Sequence, residues 1–281
     1  MSLRNLNLHL ALLWMLALYL PACQTESEDP IIPPSEFSKS QREELGDRVK
    51  IAIAFENEQF PVIPNIPPYD ESVYWFIQTL YNQVTNTMRI DNQSPSNDRW
   101  DLERNWEVII LDLPEKNAFI VPGGHLYLTT GLLKSLRSDH ELYYILAFEA
   151  SLMNEKYLLR RLISDFNTSI LANIANGTPS PNGTTSKTVA EVLSQMDFDE
   201  NIIPEIDEIT GALICQSSRM NRMGILPILG AVDESWVWLN TRKSYIGRSN
   251  HVLGLHTELS DCGSFESSGG YQEFVLDHLP R

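Results

Sequence analysis

Apolar residues follow three patterns along this chain. From Leu8 to Leu20 they run almost unbroken, between residues 106 and 130 they form short clusters separated by Pro, Gly and Asn, and elsewhere many recur every three to four positions. The last pattern predicts amphipathic helices. Glu71 to Met88 places Val73, Phe76, Ile77, Leu80, Tyr81 and Val84 on one stripe, and Lys39 to Asn57 does the same with Leu45, Val49, Ile53 and Phe55. A third run, which Ser138 or Asp139 can cap, aligns Leu142, Ile145, Leu146, Glu149, Leu152 and Met153. A glutamate therefore stands in the middle of a core-facing stripe. Val189 to Met196, Glu205 to Arg222 and a last short helix around Tyr271 to Leu279 are also predicted. Trp106 to Asp112, Ala118 to Val121 and His125 to Thr130 read as strands, with a turn at Pro122-Gly123-Gly124 and a short helix from Gly131 to near Ser138. Asn173 to Ser186 has loop composition, and the apolar stretch Leu226 to Trp238 is expected to pack on the core. The sum is an α+β fold, mainly helical, with a small β-sheet.

The unbroken run is too short for a comfortable membrane span, follows the basic Arg4 and ends Leu20-Pro21-Ala22-Cys23. That ending resembles a bacterial lipobox, which implies a lipoprotein signal peptide over residues 1–22 and lipidation of Cys23. An ordinary signal peptide cut near Ala22, or an uncleaved anchor, are the alternatives. Residues 23–40 are acidic, proline-rich and polar, as suits a flexible tether, leaving 41–281 as the folded domain. Gln24 after the cysteine favours the outer membrane, facing the periplasm, so the expected location is the bacterial cell envelope. Beyond residue 22 the chain carries 20 Lys+Arg against 37 Asp+Glu, or 20 − 37 = −17. Such a surface argues against nucleic acid as a partner. Of the remaining cysteines, Cys215 and Cys262 can form one disulfide or remain two separate thiols.

Asn117-Ala-Phe-Ile-Val-Pro-Gly-Gly124 and Gly131-Leu-Leu133 lead into the helix with Phe148-Glu149-Ala150-Ser151-Leu152. This arrangement resembles the HtpX, Oma and BepA type of zinc metallopeptidase, family forty-eight of the gluzincins. In that family the same motifs precede a helix bearing His-Glu-x-x-His, so the resemblance implies a zincin-like fold. Such enzymes hold zinc with two histidines one helical turn apart and a later glutamate, while the motif glutamate activates water. Here Phe148 and Leu152 stand where the histidines would be, and neither has a lone pair. Glu149 corresponds to the general base. By position, Glu205 in Glu205-Ile-Asp207 corresponds to the third ligand and Asp207 to its support, and Gly224-Ile-Leu-Pro227 follows as in the family.

No zinc or other cofactor is expected from this donor set, unless His125 and His251 or His256 converge on Glu205. His140, in the near-miss His140-Glu141-Leu-Tyr-Tyr144, is expected at the surface. For Glu149 the preferred reading is a vestige in a partly wet cleft, and the alternative a buried contact with a tyrosine hydroxyl or a backbone amide. Active relatives add a substrate strand to the sheet edge before the helix. The resemblance therefore implies a peptide-binding edge strand formed by His125, Leu126, Tyr127 and Leu128. The expected function is a lipid-anchored pseudo-peptidase that binds polypeptides or envelope partners. The alternatives are a divergent active zinc metalloendopeptidase of envelope quality control, and a structural lipoprotein.

Overall fold

Phe37 is fully buried and Ser38 caps the helix that follows it, so the fold begins inside the stretch expected to be tether. Ser38 accepts from the Gln41 amide while Gln41 reaches back to the Ser38 amide, a reciprocal cap that fixes where the helix starts. The computed structural model describes residues 37–65, 71–91, 106–217, 220–230, 235–242, 247–258 and 269–279. The expectations placed on the signal peptide, Cys23 and Cys262 lie outside these residues.

The described elements are α1 (Lys39–Phe55), α2 (Glu71–Asp91), β1 (Glu107–Leu111), β2 (Ala118–Val121), β3 (His125–Thr129), α3 (Thr130–Ser135), α4 (Asp139–Asn154), α5 (Tyr157–Phe166), α6 (Thr168–Ala175), α7 (Ser186–Ser194), α8 (Ile202–Cys215), α9 (Ile225–Leu229), α10 (Val237–Thr241), α11 (Arg248–Glu258) and α12 (Tyr271–His278), with a 3₁₀ turn at Arg222–Gly224. The protein is a mainly helical α+β fold with one small mixed sheet. Among the described residues no helix is long and apolar enough to cross a membrane.

The strand order is β1-β3-β2, with β1 and β3 parallel and β2 antiparallel to β3. This corrects the edge-strand expectation. His125, Leu126, Tyr127 and Leu128 lie in the middle strand, hydrogen-bonded on both sides, and every residue of that strand is buried. The last strand in sequence inserts between the first two, so its backbone has no free edge to offer a peptide. The outer edge of β1 is also occupied. Val108 N–H donates to Gln78 Oε1 (2.9 Å), Ile110 N–H to the Tyr74 hydroxyl (3.2 Å), and Ile63 N–H to the Ile110 carbonyl (2.9 Å).

The Pro122-Gly123-Gly124 turn shows why that motif is needed. Gly123 and Gly124 have φ of 90° and 83°, a region costly for any residue with a Cβ. Beneath the turn, Gly46 of α1 lets the helix backbone approach the Pro122 carbonyl, where any side chain would collide with it. A charged cluster fastens the same helix to the sheet. His125 Nδ1 lies 2.6 Å from Glu107 Oε1, His125 Nε2 lies 3.4 Å from Asp47 Oδ1, and Lys50 pairs with Glu107. His125 is thus committed to α1 and β1.

The His125 imidazole beside it, helped by Lys50 and opposed by burial, lowers the Glu107 carboxyl from 4.5 to about 2. A carboxylate depressed in the folded state stabilises the fold above its unfolded pKa and loses that contribution as pH falls through the folded value. Thermal unfolding of Glu107→Gln should therefore lie below wild type at pH above 4.5, and the gap should close as pH falls toward about 2. A gap unchanged across that window would show that the cluster does not stabilise through Glu107.

Candidate functional site

Helix α4 carries the position of interest and has no solvent face: all 16 of its residues are buried. The stripe read from the sequence is only part of its contact surface. Ser138 accepts from the Glu141 amide (3.3 Å), and Asp139 and Glu141 place negative charge in the first turn, where the helix dipole favours it. The helix then runs against α2, α8, β2 and the 3₁₀ turn. His140, expected at the surface, is buried under that turn, with its Nδ1 accepting from the Asn221 amide at 3.4 Å. Gly224 makes this possible, because a Cβ there would strike the His140 carbonyl.

Phe148 and Leu152 are fully buried packing residues. The Phe148 ring meets Trp238 edge-on, with centroids 5.5 Å apart at 77°, and stacks loosely on Tyr144 at 6.4 Å.

Glu149, between them, has no exposed surface, which corrects the reading of a vestige in a wet cleft. Its carboxylate is held by an ion pair. Arg242 donates from Nε to Oε1 at 2.9 Å and from Nη2 to Oε2 at 3.0 Å, and Trp238 Nε1–H donates to Oε1 at 2.8 Å. The Ile120 amide of β2 adds a backbone contact. Arg242 is itself buried, donates to the Met196 carbonyl at 2.8 Å and lies 5.0 Å over the Phe198 ring. Burial pushes the Glu149 carboxyl above its usual range, and Arg242, then Trp238 and the Ile120 amide, hold it down. With both oxygens claimed by fixed donors and no access to water, this carboxylate is not placed to take a proton from a substrate.

The two acidic positions of α8 exchange the places expected of them. Glu205 is exposed and accepts from the Tyr157 hydroxyl at 2.5 Å, so it does not face α4 as a ligand would. Asp207, two residues on and about 200° round the helix by the 100° step, faces inward and is 1% exposed. Arg248 grips it with two bonds of 2.8 Å, Nε to Oδ2 and Nη2 to Oδ1, and the Tyr144 hydroxyl donates to Oδ1 at 2.8 Å. The Arg248 guanidinium lies 5.2 Å over the Phe148 ring. Helices α4 and α8 thus each carry a buried carboxylate paired to an arginine, Glu149–Arg242 and Asp207–Arg248.

His125 belongs to the α1 cluster on the sheet, and His251 Nε2 lies 3.8 Å from Glu208 Oε1 on the outside of α8. His251 and His125 do not converge on Glu205, and the His256 side chain lies outside the described atoms. Among the described residues no group of three or more His, Cys, Asp or Glu is placed to hold a metal ion. Cys215, the last residue of α8, is disulfide-bonded. Sequence reasoning missed both arginines. The signal that points to them is indirect: a carboxylate on an apolar stripe demands a buried cation, but nothing in the spacing says which.

A family model described as "Peptidase family M48" matches residues 89–202. Over that segment the chain is similar to peptidase family M48. Two relatives show likeness over short stretches. The chain is 40% identical to "Metalloendopeptidase OMA1, mitochondrial" of Bos taurus over 47 residues, 17% of this chain and 9% of the relative. It is 39% identical to the protein of the same name in Danio rerio over 44 residues, 16% of this chain and 9% of the relative. Each match spans less than a tenth of the relative's length. The M48 match takes in the sheet, the Pro-Gly-Gly turn and α4, and it ends before Glu205 and Asp207. The shared segment thus specifies the strands, the turn and the helix. The two arginine partners are contributed from residues beyond it.

Proposed function

We propose that this protein is a metal-free, non-hydrolytic member of the M48 fold, tethered to a bacterial envelope membrane through Cys23. One observation carries the reading: the glutamate at the general-base position is fully buried and bound by Arg242 and Trp238. The donor set does not fit zinc. Phe148 and Leu152 offer no donor atom, and the two carboxylates that face this centre are already neutralised by guanidinium groups. A divalent ion would have to displace two bidentate arginine pairs and would gain no imidazole in exchange. The tether and the location rest on the Leu20-Pro21-Ala22-Cys23 sequence.

The middle position of β3 removes the strand-addition surface from this proposal, so partner binding has to use another face. The reading is tested with the full chain in detergent. Metal analysis after purification without chelator should find no stoichiometric zinc, and casein should remain uncut with zinc supplied. Stoichiometric zinc together with cleavage would instead identify an active metalloendopeptidase with ligands from outside the described residues. Incorporation of labelled palmitate that disappears in Cys23→Ser would support the anchor, and labelling that persists would overturn it.

A further inference from the structure

We infer that a pocket on the α1 face of the sheet, walled by Phe60 and Phe119 and floored by Asn117, receives a lysine or arginine side chain of a polypeptide partner. It supplies the face that partner binding lacks once β3 is enclosed. It does not rest on the metal-free reading, because Glu149, Trp238, Arg242 and Phe148 take no part in the lining.

The alternation of β3 sets the side on which the pocket lies. His125 reaches Asp47 of α1, so Tyr127 and Thr129, two and four residues on, point to the same face. Phe119 of β2 stacks on Tyr127, with centroids 4.9 Å apart at 6°, and Phe60 meets Phe119 at 6.4 Å and 54°. Both phenylalanines are buried, and the Phe60 amide is fixed to the Glu56 carbonyl at 2.8 Å. Between these rings and the end of α7 lies a cavity of about 180 Å³, which Glu115, Asn117, Thr129 and Ser194 also line. That is below the roughly 300 Å³ of a site for a drug-sized ligand, and it suits one long side chain.

The polar atoms of the wall decide which side chain fits. Asn117 is 8% exposed, and its Nδ2 donates to the Ser194 carbonyl at 2.8 Å, which fixes the orientation of the amide. Its Oδ1 accepts from no described residue. The hydroxyl protons are turned away from the cavity: Ser194 Oγ donates to the Glu191 carbonyl at 2.8 Å, and Thr129 Oγ serves the carbonyls of Glu115 and Asn117. At the rim the Glu115 carboxylate is exposed and pairs with no described cation, while Lys116 beside it lies over the Trp236 ring at 5.1 Å. The fixed groups therefore present acceptors, and phenyl rings attract a cation. An ammonium or guanidinium on an apolar stem answers each of them, with the stem between the rings and its N–H groups on Asn117 Oδ1 and Glu115. A neutral apolar side chain would bury Asn117 Oδ1 without a donor, which is unfavourable. The net charge of −16 draws basic polypeptides to the same surface.

Saturation-transfer NMR and calorimetry on the full chain in detergent test this assignment. The probes are N-acetyl-lysine methylamide, N-acetyl-arginine methylamide, the neutral N-acetyl-norleucine methylamide, and putrescine as a free amine. At least one basic derivative should bind with a Kd of about 1 mM, a strength suited to a single side chain, and norleucine about tenfold or more weakly. Glu115→Gln should weaken the basic derivative by about tenfold, whereas Glu273→Gln on α12 should leave it unchanged. Both glutamates are exposed, so neither variant disturbs the fold. Equal binding of norleucine would reduce the pocket to an apolar cleft, and equal losses in the two variants would reduce the effect to overall charge. Putrescine binding without either basic derivative would make a free amine the occupant. Each of these results overturns the inference, as does no binding of either basic derivative at about 20 mM. Zinc in the unmodified chain would instead overturn the preceding reading and leave this one standing.

Discussion

Arg242→Met should lower the unfolding free energy by about 3–5 kcal/mol, because it leaves the Glu149 charge buried without its cation. Both side chains are almost completely buried, at 3% and 0% exposure, so solvent cannot screen the stranded charge. Adding Glu149→Gln should recover most of the loss. An amide removes the charge but still presents an oxygen to Trp238 Nε1–H and the Ile120 amide. The pH dependence follows from the direction of the shift. Burial already raises the Glu149 carboxyl and Arg242 opposes it, so removing the arginine raises it further. A carboxyl raised in the folded state binds protons there more readily than in the unfolded chain, so stability rises as pH falls toward the unfolded value. The Arg242→Met defect should therefore be largest at neutral pH and shrink as pH falls toward 4.5, the ordinary value for this group. Urea unfolding of the three proteins at neutral and mildly acid pH measures both effects. A defect that does not change with pH would mean that lost packing, not the stranded charge, sets the cost.

Gly46→Ala is the second large effect. In an isolated helix the change would be favourable by about 1 kcal/mol, since alanine is the better helix former. Here a Cβ would meet the backbone carbonyl of Pro122, which cannot swing aside as a side chain can. The helix and the Pro-Gly-Gly turn would have to separate, opening the contact between α1 and the sheet together with its His125–Glu107–Asp47 cluster. A loss of about 3 kcal/mol, at the upper end for overpacking, is expected in thermal or urea unfolding. The same substitution at Gly183, whose surroundings are open, should cost only the strain of its φ of 77°. Equal losses at the two sites would show that the approach of α1 to Pro122 does not limit stability.

The two sites separate what local sequence carries from what it does not. Gly123 and Gly124 were visible as a turn because their conformation is a property of the residues themselves. Gly46 was not, since a glycine within a helical pattern shows its cost but not the surface it approaches. The amphipathic run of α2 and the strands at 107–111 and 118–121 were legible for a similar local reason: periodicity and β-branched clusters report directly on which face is covered. Helix α5 has an equally clear stripe of Leu158, Leu159, Leu162 and Ile163. The extent of α4 burial was hidden because a helix enclosed on all sides keeps no polar face for periodicity to contrast.

By itself the sequence determined the mainly helical α+β class, the turn and helix shared with family M48, and the absence of histidine from both motif positions. Each of these is a statement about residue identity or local pattern. Only the tertiary structure decided that β3 is the middle strand, that Asp207 rather than Glu205 faces the centre, and that Arg242 and Arg248 supply its cations. Strand order, the inward side of α8 and the partner of a buried charge all depend on separate segments meeting in space, as β1 and β3 do in the sheet and Glu149 and Arg242 do across 93 positions. A buried carboxylate makes a cation necessary on energetic grounds, but which arginine answers is settled by how the chain returns to it.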